Sequence, residues 1–163
     1  MQTEFQGLFP AIITPMTADG GLNEDAYRKV MEFNIQAGVA GFWVAGGTGE
    51  SILLDDEENH RVAEIVADQS QGRVKNIMHI GAPTTTRSAK MAEHAAKVGV
   101  EAICCVPPFF IDVQTTKLLN TIELLLLLLI CLYSSIICLV QLELRLRTIW
   151  LVKFRIRFRN SGG

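Results

Sequence analysis

One device occurs twice in this chain and constrains its fold more than any other feature. Ala37-Gly38-Val39-Ala40-Gly41-Phe42 and Val98-Gly99-Val100-Glu101-Ala102-Ile103 both pass from a helical pattern through a glycine and a valine into a short apolar run. The glycines suit the left-handed residue that ends a helix. The apolar runs that follow read as strands. Strands alternating with helices imply parallel pairing through right-handed crossovers. Residues 8–14, 41–45, 76–80 and 102–106 are the predicted strands. Their near-continuous apolar character fits a sheet covered on both faces.

The intervening segments carry helix signals. Asn23 is a good N-cap, and Glu24 and Asp25 complement the dipole of the first turn. Tyr27, Val30, Met31, Phe33 and Ile35 give this helix its apolar face. Asp55 with Glu58 three residues later forms a capping-box start, and Val62, Ile65 and Val66 continue a stripe towards Gln69. Thr84 or Thr85 caps the third helix, whose inner positions are Ala89, Ala92, Ala95, Ala96 and Val98 before Gly99 ends it. The fold class is therefore α/β, with four βα units.

The second predicted strand runs directly into Gly46-Gly47-Thr48-Gly49-Glu50. Three glycines in four positions free the backbone for close approach to a ligand. Thr48 offers a hydroxyl and an N–H to a small anion. A tight βα connection is the plainer reading of the same residues.

Context sharpens the choice. Gly7-Leu8-Phe9-Pro10-Ala11-Ile12-Ile13-Thr14-Pro15-Met16, Asp19-Gly20-Gly21-Leu22-Asn23, the glycine-rich turn, His79-Ile80-Gly81-Ala82 and Val106-Pro107-Pro108-Phe109-Phe110 follow in order. Together they resemble the pyruvate-dependent class I aldolases, the N-acetylneuraminate lyase and dihydrodipicolinate synthase family. The resemblance covers residues 5–116. It implies a partial TIM (β/α)8 barrel, about the first four βα units, where a full barrel takes eight units and typically about 250 residues.

The resemblance also implies a chemistry. In this family a lysine on the sixth strand forms a Schiff base with a pyruvoyl ketone, and a tyrosine on the fifth strand moves protons. The imine is the electron sink, so no metal or diffusible cofactor is implied. The turn after strand two holds the pyruvate carboxylate, which assigns substrate binding to Gly47 and Thr48 and a supporting role to Gly46, Gly49 and Glu50. Gly47 stands where the family usually has Ser or Thr, which points away from dihydrodipicolinate synthase. Phe110 falls at an aromatic position that reaches a neighbouring subunit in many members. The His79-Ile80-Gly81-Ala82 and Pro108-Phe109-Phe110 stretches resemble the N-acetylneuraminate lyases, so the expected substrate is sialic acid or another 2-keto acid. His79 reads as a packed strand residue rather than an acid or base. Full-length relatives are expected to be homotetramers. A dihydrodipicolinate synthase, or a keto-deoxy-sugar-acid aldolase or dehydratase, is the rival enzyme. A non-catalytic half-barrel, binding intact subunits or tethered to a membrane, is the rival outside enzymology.

Lys153, in Leu151-Val152-Lys153-Phe154, is a weak candidate for the Schiff-base lysine. No Ser or Thr follows it, it lies too close to Glu50 in sequence, and no tyrosine in a strand-five context precedes it. Tyr133 sits within a leucine run. Lys29, Lys75, Lys90 and Lys97 read as solvated. The chain alone is expected to be truncated and inactive.

Composition changes near residue 117, dividing an aldolase-like part, 1–116, from a divergent tail, 117–163. No charge occurs between Glu123 and Glu143, a length at the lower edge of a membrane span, which makes residues 118–142 a candidate membrane-like segment. Arg145, Arg147, Lys153, Arg155, Arg157 and Arg159 supply a positive flank. Three readings fit the tail: mis-spliced or frame-shifted sequence, a membrane anchor, or a divergent soluble second half. Alternation over residues 153–159 equally fits a strand with a basic face.

The remaining global features exclude more than they identify. Among 163 residues the net charge is −2, with a pI near 5.9, which argues against a general nucleic-acid binder. The start has no basic-then-apolar signal pattern and reads as cytoplasmic. Cys104, Cys105, Cys131 and Cys138 match neither a zinc nor a thioredoxin spacing and read as buried apolar thiols.

Overall fold

The computed structural model describes residues 5–105 and two further strands, Ile137–Leu144 and Thr148–Phe154. Three helices form where the capping signals lie. α1 spans Glu24–Gln36, with the Asn23 side chain accepting from the Ala26 N–H. α2 spans Asp56–Ser70, and Asp55 and Glu58 complete a reciprocal capping box. α3 spans Thr85–Val98, starting from Thr84 and ending at Gly99, whose φ is 91°.

The strands are β1 (Gly41–Val44), β2 (Lys75–His79), β3 (Ala102–Cys105), β4 (Ile137–Leu144) and β5 (Thr148–Phe154), arranged in that order in one sheet. The β1–β2 and β2–β3 ladders are parallel, as the crossover argument requires, and the β3–β4 ladder is parallel as well. Period-two alternation splits β1–β3 between two faces. Phe42, Val44, Met78, Ile80 and Ile103 join the main core with Tyr27, Met31, Val62, Ile65, Val66 and Met91 from the helices. Ile77, Ala102 and Cys104 form a second cluster with Phe5, Phe9 and Trp43. His79 is in phase with Ile77, so it lies on this second face, at the C-terminal end of β2.

Ion pairs fasten the helix layer from outside. Glu24 meets Arg28 and Arg61 at 2.8 Å each, linking α1 to α2, while Glu32 meets Arg73 at 2.8 Å beyond α2. Gly41 marks the closest approach in the sheet. A Cβ there would sit 2.0 Å from the Lys75 carbonyl oxygen and 2.3 Å from the Phe9 ring.

Several expectations need correction. Residues 8–14 are extended but form a single parallel bridge, Ala11 to Trp43, rather than a full strand. The Ile12 N–H donates to the Trp43 carbonyl and the Trp43 N–H to the Pro10 carbonyl. Pro10 within this segment and Pro15 just after it lack the N–H donors that a longer ladder would need. Phe33 is 76% exposed and belongs to the outer face of α1. Met91 and Ser88 are buried on α3 beside the expected alanines.

In the tail, β4 and β5 pair antiparallel, which departs from the all-parallel order of a barrel. Ile137–Leu144 is strand, so the apolar run 118–142 is not one continuous helix. Among the described residues no helix is long and apolar enough to cross a membrane. The remainder of that run, the expected boundary at 116/117, Cys131 and Val106 lie outside the described residues.

Candidate functional site

β1 delivers the chain to a turn whose strain falls on unexpected residues. Ala45 (φ 50°) and Glu50 (φ 54°) adopt left-handed backbone, whereas Gly46, Gly47 and Gly49 do not. What these glycines supply is space for close approach rather than unusual backbone conformations. A Cβ on Gly49 would stand 2.9 Å from the Ala45 Cα and 3.2 Å from the Ile12 carbonyl oxygen. One on Gly46 would touch the Trp43 indole at 3.1 Å, and one on Gly47 would meet nothing within 4 Å.

Buried polar side chains brace the turn from behind. Thr14 donates its hydroxyl to the Gly49 carbonyl at 2.7 Å. The Asn59 amide nitrogen donates to the carbonyls of Ser51 (3.2 Å), Leu54 (3.3 Å) and Asp55 (2.9 Å), tying the segment after the turn to α2. The His79 Nδ1 and the Ser51 hydroxyl are 3.3 Å apart, and the ring is also hydrogen-bonded to the Ala45 backbone. Burial holds the His79 pKa below its usual value, opposed by the bond to Ala45. A neutral ring in this position is a brace rather than a charge.

With its rear face locked, the turn presents Gly47 and Thr48 to solvent. They sit beyond the C-terminal end of β1, next to the end of β2 that carries His79. Such a position offers a hydroxyl and backbone N–H groups to an anionic group without first burying a charge. Glu50 is exposed, and its carbonyl accepts from the Leu53 N–H at 2.8 Å. A hollow of about 390 Å³ at the start of α2 is lined by Asp55, Asp56, Glu57 and Arg87. Arg87 is already paired with Asp56, so this hollow does not suit an anion.

Sequence reasoning found Gly46, Gly47, Thr48, Gly49 and Glu50 together, as the structure has them. It missed Ser51 and Asn59 and treated Thr14 merely as a strand exit. The available signal was a set of small polar residues at the ends of apolar runs, next to a histidine inside one. Lys153 lies on β5, opposite Leu139 in the backbone register. Phe110 and Tyr133 lie outside the described residues.

Residues 4–123 match the model of the dihydrodipicolinate synthetase family. The chain belongs to that family. Over 110 residues it is 36% identical to the N-acetylneuraminate lyase of Escherichia fergusonii, covering 68% of this chain and 37% of the relative. The chain thus spans about a third of the length of the curated relatives it matches. The crystal structure of N-acetylneuraminate lyase from Mycoplasma synoviae superposes with a TM-score of 0.80 at 28% identity, over 86% of this chain and 47% of that one. A prophage protein of the dihydrodipicolinic acid synthase family from Escherichia coli K12, solved in complex with pyruvate, gives 0.71 at 27% identity, over 74% and 41%. The family's α/β architecture with parallel strands is present, and the family members matched are aldolase-type lyases.

Proposed function

We propose that this chain carries the keto-acid-binding part of a pyruvate-dependent aldolase of the N-acetylneuraminate lyase type. Thr48 donates its hydroxyl and N–H to the carboxylate of pyruvate, and Gly47 adds a second backbone N–H. The observation that carries the reading is the turn itself, open at Gly47 and Thr48 and locked from behind by Thr14, Ser51, Asn59 and His79. The inherited reaction is cleavage of N-acetylneuraminate to N-acetylmannosamine and pyruvate through a lysine imine. This chain by itself binds the keto acid without cleaving the sugar, because no lysine in it has the sequence context of the Schiff-base residue. Its setting is cytoplasmic. The homotetramer of full-length relatives, with Phe110 at a subunit boundary, is part of the same proposal, as is membrane contact through the tail.

A second reading is a keto-deoxy-sugar-acid aldolase or dehydratase. Gly47 favours it, because the hydroxyl usual at that position is absent. The antiparallel setting of Lys153 favours the third reading, a non-catalytic binding half-barrel.

The test is reductive trapping. The purified chain is incubated with pyruvate and borohydride, and its intact mass is measured. Unmodified mass in a folded sample that nonetheless binds pyruvate is the expected result. An adduct mapping to Lys153 would mean that the tail completes an aldolase site. Absence of any pyruvate binding would defeat the assignment of Gly47 and Thr48.

A further inference from the structure

We propose that His79 and Ser51 are positioning residues that lock the turn 45–50 in its open geometry, with His79 joining the turn's strained start to the residue just past its end. The inference rests on the reading above for its ligand, although the lock itself is a property of the fold. A non-glycine residue keeps left-handed backbone where its surroundings over-determine it. Ala45 and Glu50 both do so, five residues apart, at the two ends of the glycine-rich stretch.

His79 is placed to enforce that arrangement. It is 8% exposed and projects from the end of β2 on the face away from the helices. One side chain there engages both the Ala45 backbone and the Ser51 hydroxyl. The Ser51 carbonyl is in turn held by Asn59, so the far anchor is fixed to α2. The near anchor belongs to a residue adjoining β1, and β1 pairs in register with β2. The imidazole therefore closes a rigid frame of β2, β1 and α2 around the exposed pair Gly47 and Thr48. A leucine at 79 fills similar volume but leaves a buried hydroxyl and a buried backbone group without this partner, a cost that a relaxed turn would relieve.

The experiment compares the full chain with His79→Leu, His79→Gln and Ser51→Ala. Amide hydrogen exchange is followed in peptides covering residues 45–54 and 56–70, and pyruvate affinity is measured by titration. Circular dichroism checks the fold. For His79→Leu, exchange over 45–54 rises about tenfold while α2 is unchanged, and pyruvate affinity falls about tenfold. His79→Gln, which keeps a donor and an acceptor, restores most of both. Ser51→Ala gives a smaller change in the same direction, about threefold, and serves if His79→Leu does not fold. Unchanged exchange over 45–54 in folded His79→Leu, or in Ser51→Ala if the former is unfolded, overturns the lock whatever the affinities show. If the parent chain binds no pyruvate but the turn loosens as stated, the lock stands and the carboxylate reading falls.

Discussion

Gly47 and Gly49 look alike in the sequence and are opposites in the fold. A side chain at 47 enters open space and needs no unusual φ, whereas one at 49 runs into the Ala45 backbone. Gly47→Ser should therefore fold normally and place a hydroxyl beside Thr48. A hydrogen bond to a charged group contributes about 1.5–3 kcal/mol, so pyruvate affinity should rise about tenfold or more in a direct titration. Gly49→Ala should lower stability by about 1–3 kcal/mol, read as a fall in Tm, because the atoms it meets are backbone and cannot rotate away. The turn itself was legible from its three glycines. The left-handed backbone at Ala45 and Glu50 was not, since local propensity assigns such angles to glycine. Here the long-range contacts of Thr14, Ser51 and His79 surround the turn, and no local pattern encodes those contacts.

The same division holds for the elements. Helix ends were legible because capping is local: Asn23, the Asp55–Glu58 box, Thr84 and Gly99 act within a few residues of the ends they define. Asp55→Ala should cost about 1 kcal/mol, seen as a lower urea midpoint with an unchanged slope. Helix faces were read less well. Phe33 was placed inside on apolarity alone, although Tyr27 and Met31, one turn apart, define the buried stripe. Tyr27 is fully buried, and its hydroxyl has no hydrogen-bond partner among the described residues. Burial raises its pKa, so it stays neutral. Tyr27→Phe should be neutral or stabilising by up to about 1 kcal/mol, checked by the same denaturation curve. Residues 8–14 carried the apolar content of a strand. Whether such a segment extends into a full ladder depends on donors and partners that its own composition does not specify.

At the scale of the whole molecule, the parallel β1–β2–β3 order followed from strand–helix alternation, while the antiparallel β4–β5 pair has no counterpart in that logic. The packed layers also set a pH response. His60 is held below its ordinary value of 6.5 by burial and by His94, stacked at 4.1 Å, against the opposing pull of Asp56, Glu64 and Glu57. His79 is shifted the same way by burial. On unfolding these rings take up protons at higher pH than in the fold, so their contribution is complete above pH 6.5 and is lost as pH falls through the folded values. Glu32, held down to about 2 by Arg73 and then Gln69, adds a second loss as pH falls from 4.5 towards that value. Urea midpoints measured against pH should be flat above 6.5 and decline below it, and His60→Gln should reduce the first decline. The central claim is that the turn after β1 binds a keto-acid carboxylate through Thr48. The most direct measurement is a calorimetric titration of pyruvate into the parent chain and into Thr48→Val, which keeps the shape and removes the hydroxyl. The account predicts saturable binding by the parent and a loss of about tenfold in the variant. Equal affinity in both, or no binding by a folded parent, would contradict it.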